Sequence, residues 1–193
     1  MGARVVVLAG PSGAGKSRLA ERLELPVLRL DDFYRSGSDP ALPRITHGAN
    51  AGQVDWDDPR SWLAEEALQA IGRLSAHGRA DVPVYDIAHD GRTGSRVLDL
   101  HGSALFVAEG IFAQEIVAPC RAAGLLDSAW CVRQHPLVTF TRRLVRDLRE
   151  HRKAPLFLVR RGLGRGLWKC QGEEKRCLQE SHHQLYPNLI PGT

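Results

Sequence analysis

The chain has 193 residues, 43% of them hydrophobic and 25% charged, with a net charge of +4 and a pI near 9.1. That length is expected to form one domain over 1–193 and to bury about 70% of its unfolded surface in a real core, which sets aside a disordered or fibrous protein. Mild basicity suits an anionic ligand or nucleic acid and chooses neither; it is local, with nine Lys/Arg against two acids from Arg142 to Arg165.

No apolar run approaches the roughly 20 residues of a membrane span. "MGARVV" lacks the Ser/Thr of a myristoylation signal. Cys120, Cys131, Cys170 and Cys177 form no C-x-x-C pair, and reduced thiols in a cytoplasmic protein are expected. With His182 and His183 the last two cysteines fit no standard zinc spacing.

In chain order, Arg4–Ala9 ("RVVVLA") reads as a strand buried on both faces. Lys16–Leu25 reads as a helix stopped by Pro26, and Val27–Leu30 as a second strand. Residues 33–59, rich in Gly, Pro, Asp and Asn, read as a long loop of the functional kind. Arg60–His77 is a helix ending at Gly78, and Val82–Tyr85 a third strand. Arg96–Leu100 alternates like a hairpin arm. Ala104–Ala108 and Ala129–Arg133 complete five strands, with a helix over 112–123 between them. Pro136–Arg152 carries an apolar stripe of Leu137, Phe140, Leu144 and Leu148, and a last helix is expected over 173–186. Strands alternating with helices predict an α/β fold with a mostly parallel five-stranded sheet flanked by helices.

The strongest motif is "GPSGAGKS" (Gly10, Pro11, Ser12, Gly13, Ala14, Gly15, Lys16, Ser17), a full match to G-x-x-x-x-G-K-[ST] between a strand and a helix. Glycines let backbone N–H groups turn toward phosphate oxygens, Lys16 reaches the β- and γ-phosphates, and the Ser17 hydroxyl suits Mg²⁺. The helix that follows, with Arg18 in its first turn, presents its N-terminal end to the anion. A P-loop needs a second carboxylate near the metal, and Glu109 in "ALFVAEG" stands at a strand end where Asp is usual. ATP and Mg²⁺ are therefore the expected donor and metal. No Asn-Lys-x-Asp guanine motif occurs.

"GPSGAGKS", "LDDFYR", "VDWDDPRSW", "VPVYDI", "VAEGI" and "RRLVRDLREH" stand in an order and spacing that resemble the uridine kinase family, over about residues 5–153. That family belongs with phosphoribulokinase and pantothenate kinase. The resemblance implies a P-loop kinase that moves the ATP γ-phosphoryl group to a small-molecule hydroxyl, uridine or cytidine being the family acceptors. By alignment to Asp-x-Phe-Tyr it makes Asp31 the base for the acceptor hydroxyl and leaves Asp32 in the variable slot. It matches Asp57 to an acid on ribose hydroxyls, Trp56 and Tyr85 to base-contacting aromatics, Arg143 to a substrate arginine and Arg146 to an ATP clamp. A lid is implied near 153–167.

Departures fall on base recognition and the lid. The family histidine five residues after Tyr85 is Asp90 here, with His89 one residue early; the aromatic two after Tyr85 is Ile87; the lid Arg-Gly-Arg reads His151-Arg152-Lys153. Uridine is therefore expected to be at best a modest substrate. Other readings are an acceptor of the pantothenate or sugar-phosphate kind, or an ATP-binding regulatory protein without catalysis. Expected partners are a small-molecule substrate and a second copy of the chain, without nucleic acid or membrane.

Overall fold

A computed structural model describes residues 2–10, 12–48, 50–132 and 183–185. The first strand, β1 (Arg4–Ala9), sits where the sequence puts it. It is followed by α1 (Lys16–Arg22), β2 (Val27–Arg29), α2 (Ala64–His77), β3 (Arg79–Asp86), β4 (Gly91–Asp99), β5 (Leu105–Glu109), α3 (Val117–Ala122), β6 (Leu126–Val132) and β7 (His183–Leu185). A five-stranded sheet runs β2-β5-β1-β6-β7, and all its pairings are parallel.

Three expectations change. The run at Val82–Tyr85 lies outside this sheet: β3 and β4 form a separate antiparallel hairpin. The fifth strand is His183–Leu185, which replaces the end of the helix expected over 173–186. The helix expected from Arg60 starts at Ala64, because Pro59–Ser61 form a 3-10 turn capped by the Asp58 carboxylate on the Arg60 N–H. The apolar stripe of 136–152 lies outside the described residues.

Strand alternation sorts the core into two layers. Val6 and Leu8 of β1 face α1, through Leu19 and Ala20. Val5, Val7 and Ala9 face the other side, with Ala67, Ile71 and Leu74 of α2 and Val117 of α3. The chain thus leaves β1 toward one face and β5 toward the other. Such a switch between neighbouring parallel strands opens a crevice at their carboxyl ends, where α/β ligands bind.

Cys120 is a buried free thiol. Among the described residues no helix is long and apolar enough to cross a membrane.

Candidate active site

The crevice gathers three loops. The first is Gly10–Gly15, between β1 and α1. Gly10 has φ 144°, and a side chain there would collide with the Val132 carbonyl oxygen. Gly15 caps α1 in the left-handed region at φ 98°. Both positions exclude other residues on backbone grounds. Lys16 is 6% exposed, and its Nζ donates to the Gly10 carbonyl at 2.8 Å. The ammonium is therefore folded over the loop. Pro11 lies outside the described residues; Ser12, Gly13 and Ala14 form the loop, and Arg18 is exposed on α1.

The second element is the end of β5. Glu109 is buried, and Ser17 Oγ donates to its Oε1 at 3.0 Å. Burial pushes the Glu109 carboxyl up; the Lys16 ammonium pulls it back, and the negative charge of Asp31 adds to the rise. A hydroxyl and a buried carboxylate beside a second acid are hard oxygen donors in need of positive charge, and that chemistry fits Mg²⁺.

The third element is the 3-10 turn Leu30–Phe33 after β2. Leu28, Leu30 and Phe33 are almost wholly buried, each contributing about 1.5–3 kcal/mol. These anchors set where the two acids between them point. Asp31 is exposed, and its Oδ1 accepts from the Ile111 N–H at 3.0 Å. It thus stands at the carboxyl end of β5, beside Glu109, whose Cα is in register with Arg29. Asp32 is 7% exposed and faces the backbone N–H of Tyr85 in β3. Burial pushes its carboxyl up; Arg29, that N–H and Arg96 oppose the rise. Successive residues of a 3-10 turn lie about 120° apart, so the neighbours diverge without strand alternation.

Around Tyr34 an aromatic group forms, with ring centroids of Trp56 and Tyr85 at 5.8 Å and of Phe112 at 5.9 Å. Tyr34 Oη donates to the Trp56 carbonyl at 3.1 Å. Burial, with the charge of Asp90, pushes the Tyr85 hydroxyl up to about 12, so it stays a neutral donor. Asp57 adjoins Trp56 and is half-buried. Asp58, not Asp57, caps the following turn, which separates the two acids of "DWDDP" by task.

His89 does not join this group. It sits on the exposed 3-10 turn Ile87–His89, with Nδ1 2.6 Å from Asp86 Oδ2. Arg143, Arg146 and the lid segment 153–167 lie outside the described residues.

One position escaped the sequence reading. A side chain at Gly110 would come within 2.8 Å of both Asp31 Oδ1 and Leu30 Cβ. A glycine directly after a buried strand is the signal that could have found it.

A glycine-rich phosphate loop, a buried lysine and a Ser–Glu pair at the switch of a parallel sheet have the arrangement of a P-loop nucleotide-binding fold. The chain belongs to the Phosphoribulokinase / Uridine kinase family, whose model matches residues 5–153. It is 29% identical over 157 residues to the inorganic pyrophosphatase TTM2 of Arabidopsis thaliana, covering 78% of this chain and 21% of that protein. It thus spans about a fifth of the length of that relative. It is 24% identical over 152 residues to a uridine kinase of Chlamydia pneumoniae, covering 76% of this chain and 64% of that one. The fold is shared with a Silicibacter sp. TM1040 protein described as a fructose transport system kinase, at TM-score 0.65 and 18% identity over 95% of this chain and 90% of that one.

Proposed function

We propose that the chain transfers the γ-phosphoryl group of ATP to a hydroxyl of a small molecule in the cytoplasm, with a nucleoside 5′-hydroxyl as the favoured acceptor. One observation carries this reading. Asp31 is exposed to an incoming molecule yet held by the Ile111 N–H at the strand end that also carries Glu109 and its Ser17 partner. A base and a phosphate cradle on one crevice are what transfer to a hydroxyl requires.

In this reading Asp31 takes the proton of the acceptor hydroxyl. The acceptor oxygen bonds to the γ-phosphorus, and the bond from that phosphorus to the β,γ-bridging oxygen breaks. ADP leaves with the electron pair. Lys16, released from the Gly10 carbonyl, meets the phosphate charge. Ser17 and Glu109 would hold Mg²⁺, whose charge neutralises the phosphate oxygens when bound. Arg18 is the further ATP-side cation of this reading, and the family resemblance gives Arg146 an ATP role and Arg143 an acceptor role.

Tyr85, Trp56 and Asp57 supply the acceptor wall: rings to stack on a base and a carboxylate for ribose hydroxyls. The base-reading side is thin. Ile87 is 46% exposed and His89 is committed to Asp86. A site without hydrogen-bonding partners discriminates weakly. Strict uridine specificity is therefore not expected, and a sugar-phosphate or pantothenate-like alcohol is the alternative acceptor.

ADP release with Mg²⁺-ATP and a panel of uridine, cytidine, pantothenate and sugar phosphates tests the reading. Acceptor-dependent release is expected, with uridine modest. Release on uridine and cytidine far above all other alcohols would overturn the weak-discrimination reading. Release with no acceptor dependence would overturn the kinase reading itself.

A further inference from the structure

The loop after Tyr34 and the tip of the β3–β4 hairpin touch away from the phosphate chemistry. The Gly37 N–H donates to the Asp90 carbonyl at 2.6 Å. The approach leaves no room for a side chain: a Cβ at Gly37 would lie 3.0 Å from the Asp90 Cβ and 3.1 Å from its carbonyl oxygen. The φ of Gly37 is outside the left-handed region, so this contact, not the backbone, is what calls for glycine. Asp90 ends the 3-10 turn Ile87–His89 at φ 47°, a left-handed conformation that aspartate tolerates better than most residues.

The loop side of the contact is braced. The Asp39 N–H donates to the Ser36 carbonyl at 2.9 Å, and the Arg35 N–H to the Ser61 carbonyl at 2.9 Å. Arg35 Nη1 donates to Asp39 Oδ2 at 2.9 Å and its Nε to the Arg60 carbonyl at 3.0 Å. The hairpin side is irregular: Val84 pairs with Gly94 and Tyr85 with Arg92, so Thr93 is left over on β4. Such bulges re-aim a strand next to functional sites. The two segments meet a second time, where the rings of Tyr34 and Tyr85 lie 5.8 Å apart. Gly37 follows Tyr34 by three residues, and Asp90 follows Tyr85 by five.

We propose that Gly37 and Asp90 form a backbone clasp that sets the distance from the hairpin to the segment carrying Asp31 and Tyr34, which makes Gly37 a positioning residue for the acceptor. The inference rests on the kinase reading above, since that reading gives Tyr85 a place in the acceptor wall. The hairpin lies outside the main sheet, so the sheet's own ladder does not set this distance. A side chain at residue 37 meets a braced loop on one side and the hairpin tip on the other, so the hairpin yields and carries Tyr85 away from Tyr34. The acceptor then loses its fit, while the phosphate loop, built on β1 and β5, stays in place.

The test uses the full chain with uridine as acceptor, following ADP release, and amide hydrogen exchange at residue 37. In the wild type the Gly37 amide should be protected at least about tenfold over an unstructured peptide. Gly37→Val should lose that protection and raise the KM for uridine at least about tenfold, with kcat within about threefold and the KM for ATP unchanged. Gly37→Ala should shift the uridine KM the same way by less. Asp90→Asn keeps the left-handed turn and the carbonyl and removes only the charge, so its uridine KM should stay within about threefold of wild type. A folded Gly37→Val protein with wild-type uridine KM would overturn the proposal. An unprotected Gly37 amide in the wild type would overturn it too, even if Gly37→Val fails to fold. A uridine KM raised as much by Asp90→Asn as by Gly37→Val would assign the effect to the carboxylate and overturn the backbone clasp. Should the wild type show no turnover on uridine or any other alcohol, the kinase reading falls and the acceptor role with it, while exchange at Gly37 still decides whether the clasp forms.

Discussion

Ser17 Oγ donates to Glu109 Oε1 at 3.0 Å, joining the first turn of α1 to the end of β5. The pair occupies the corner where a metal would meet the phosphates. Glu109→Gln keeps an oxygen that Ser17 can reach and removes only the charge. The Mg²⁺ concentration for half-maximal ADP release should rise at least about tenfold, since a hard cation loses its one buried anionic ligand at this strand end. Burial raises the Glu109 pKa, so its charge costs stability at neutral pH, and the melting temperature of Glu109→Gln should hold or rise. Unchanged Mg²⁺ dependence would remove Glu109 from the metal site.

Lys16 is buried against the phosphate loop rather than solvated, so alanine there would leave a hole. Lys16→Met keeps the stem and removes the charge. Turnover should fall about 10²–10³-fold, as when one preorganised charge donor is lost. Circular dichroism should show the wild-type fold. Turnover within tenfold of wild type would exclude the phosphate role.

Gly110→Ala places a methyl group against Asp31 Oδ1 and Leu30. The base has to move by a fraction of an ångström or more, and a misplacement of about 1 Å can cost about 10²-fold. A fall in kcat of about 10- to 100-fold is expected, with the KM for ATP preserved. An unaffected kcat would mean that Asp31 tolerates displacement and that its bond to the Ile111 N–H has no catalytic weight.

Asp32 makes the pH dependence of stability testable. Its folded-state pKa is raised, chiefly by burial, so the folded state holds the proton more tightly than the unfolded chain does. Its cost to stability is absent below the ordinary value of 3.8 and grows as pH rises through the raised folded value. Asp32→Asn lacks that cost at every pH. Urea midpoints at pH 7 and near pH 4 should therefore shift in favour of the wild type, relative to Asp32→Asn, at the lower pH. A difference that is constant with pH would show that Asp32 titrates normally.

The sheet core was legible because its strands are short apolar runs closed by Gly or Pro. Arg4–Ala9 matches to the residue, and Glu109 was placed at its strand end by spacing alone. The hairpin was only half legible. Arg79–Asp86 carries charge at both ends and Pro83 in the middle, so the apolar signal shrank to Val82–Tyr85 and gave no hint that the strand leaves the main sheet. Pairing partners are tertiary facts that periodicity does not carry. The motif told Asp31 from Asp32 only by their slots in Asp-x-Phe-Tyr; a 3-10 turn makes the two neighbours diverge. His89 was read as a displaced base contact; its carboxylate partner, Asp86, is three residues away and competes for it. Gly110 was invisible because its role depends on how closely the turn after β2 approaches β5.

The most direct test of the central claim is kcat for Asp31→Asn beside Asp32→Asn, measured as ADP release on one acceptor at saturating ATP. Asn keeps the size of Asp and an oxygen for the Ile111 N–H. Loss of a general base costs about 10²- to 10⁴-fold, so Asp31→Asn should fall by that much with the KM for ATP little changed, while Asp32→Asn loses less than about tenfold in kcat. A crippled Asp32→Asn beside an active Asp31→Asn would move the base to the neighbouring residue. Wild-type kcat in both variants would contradict the account, leaving "LDDFYR" as a solvated turn and the crevice without a base.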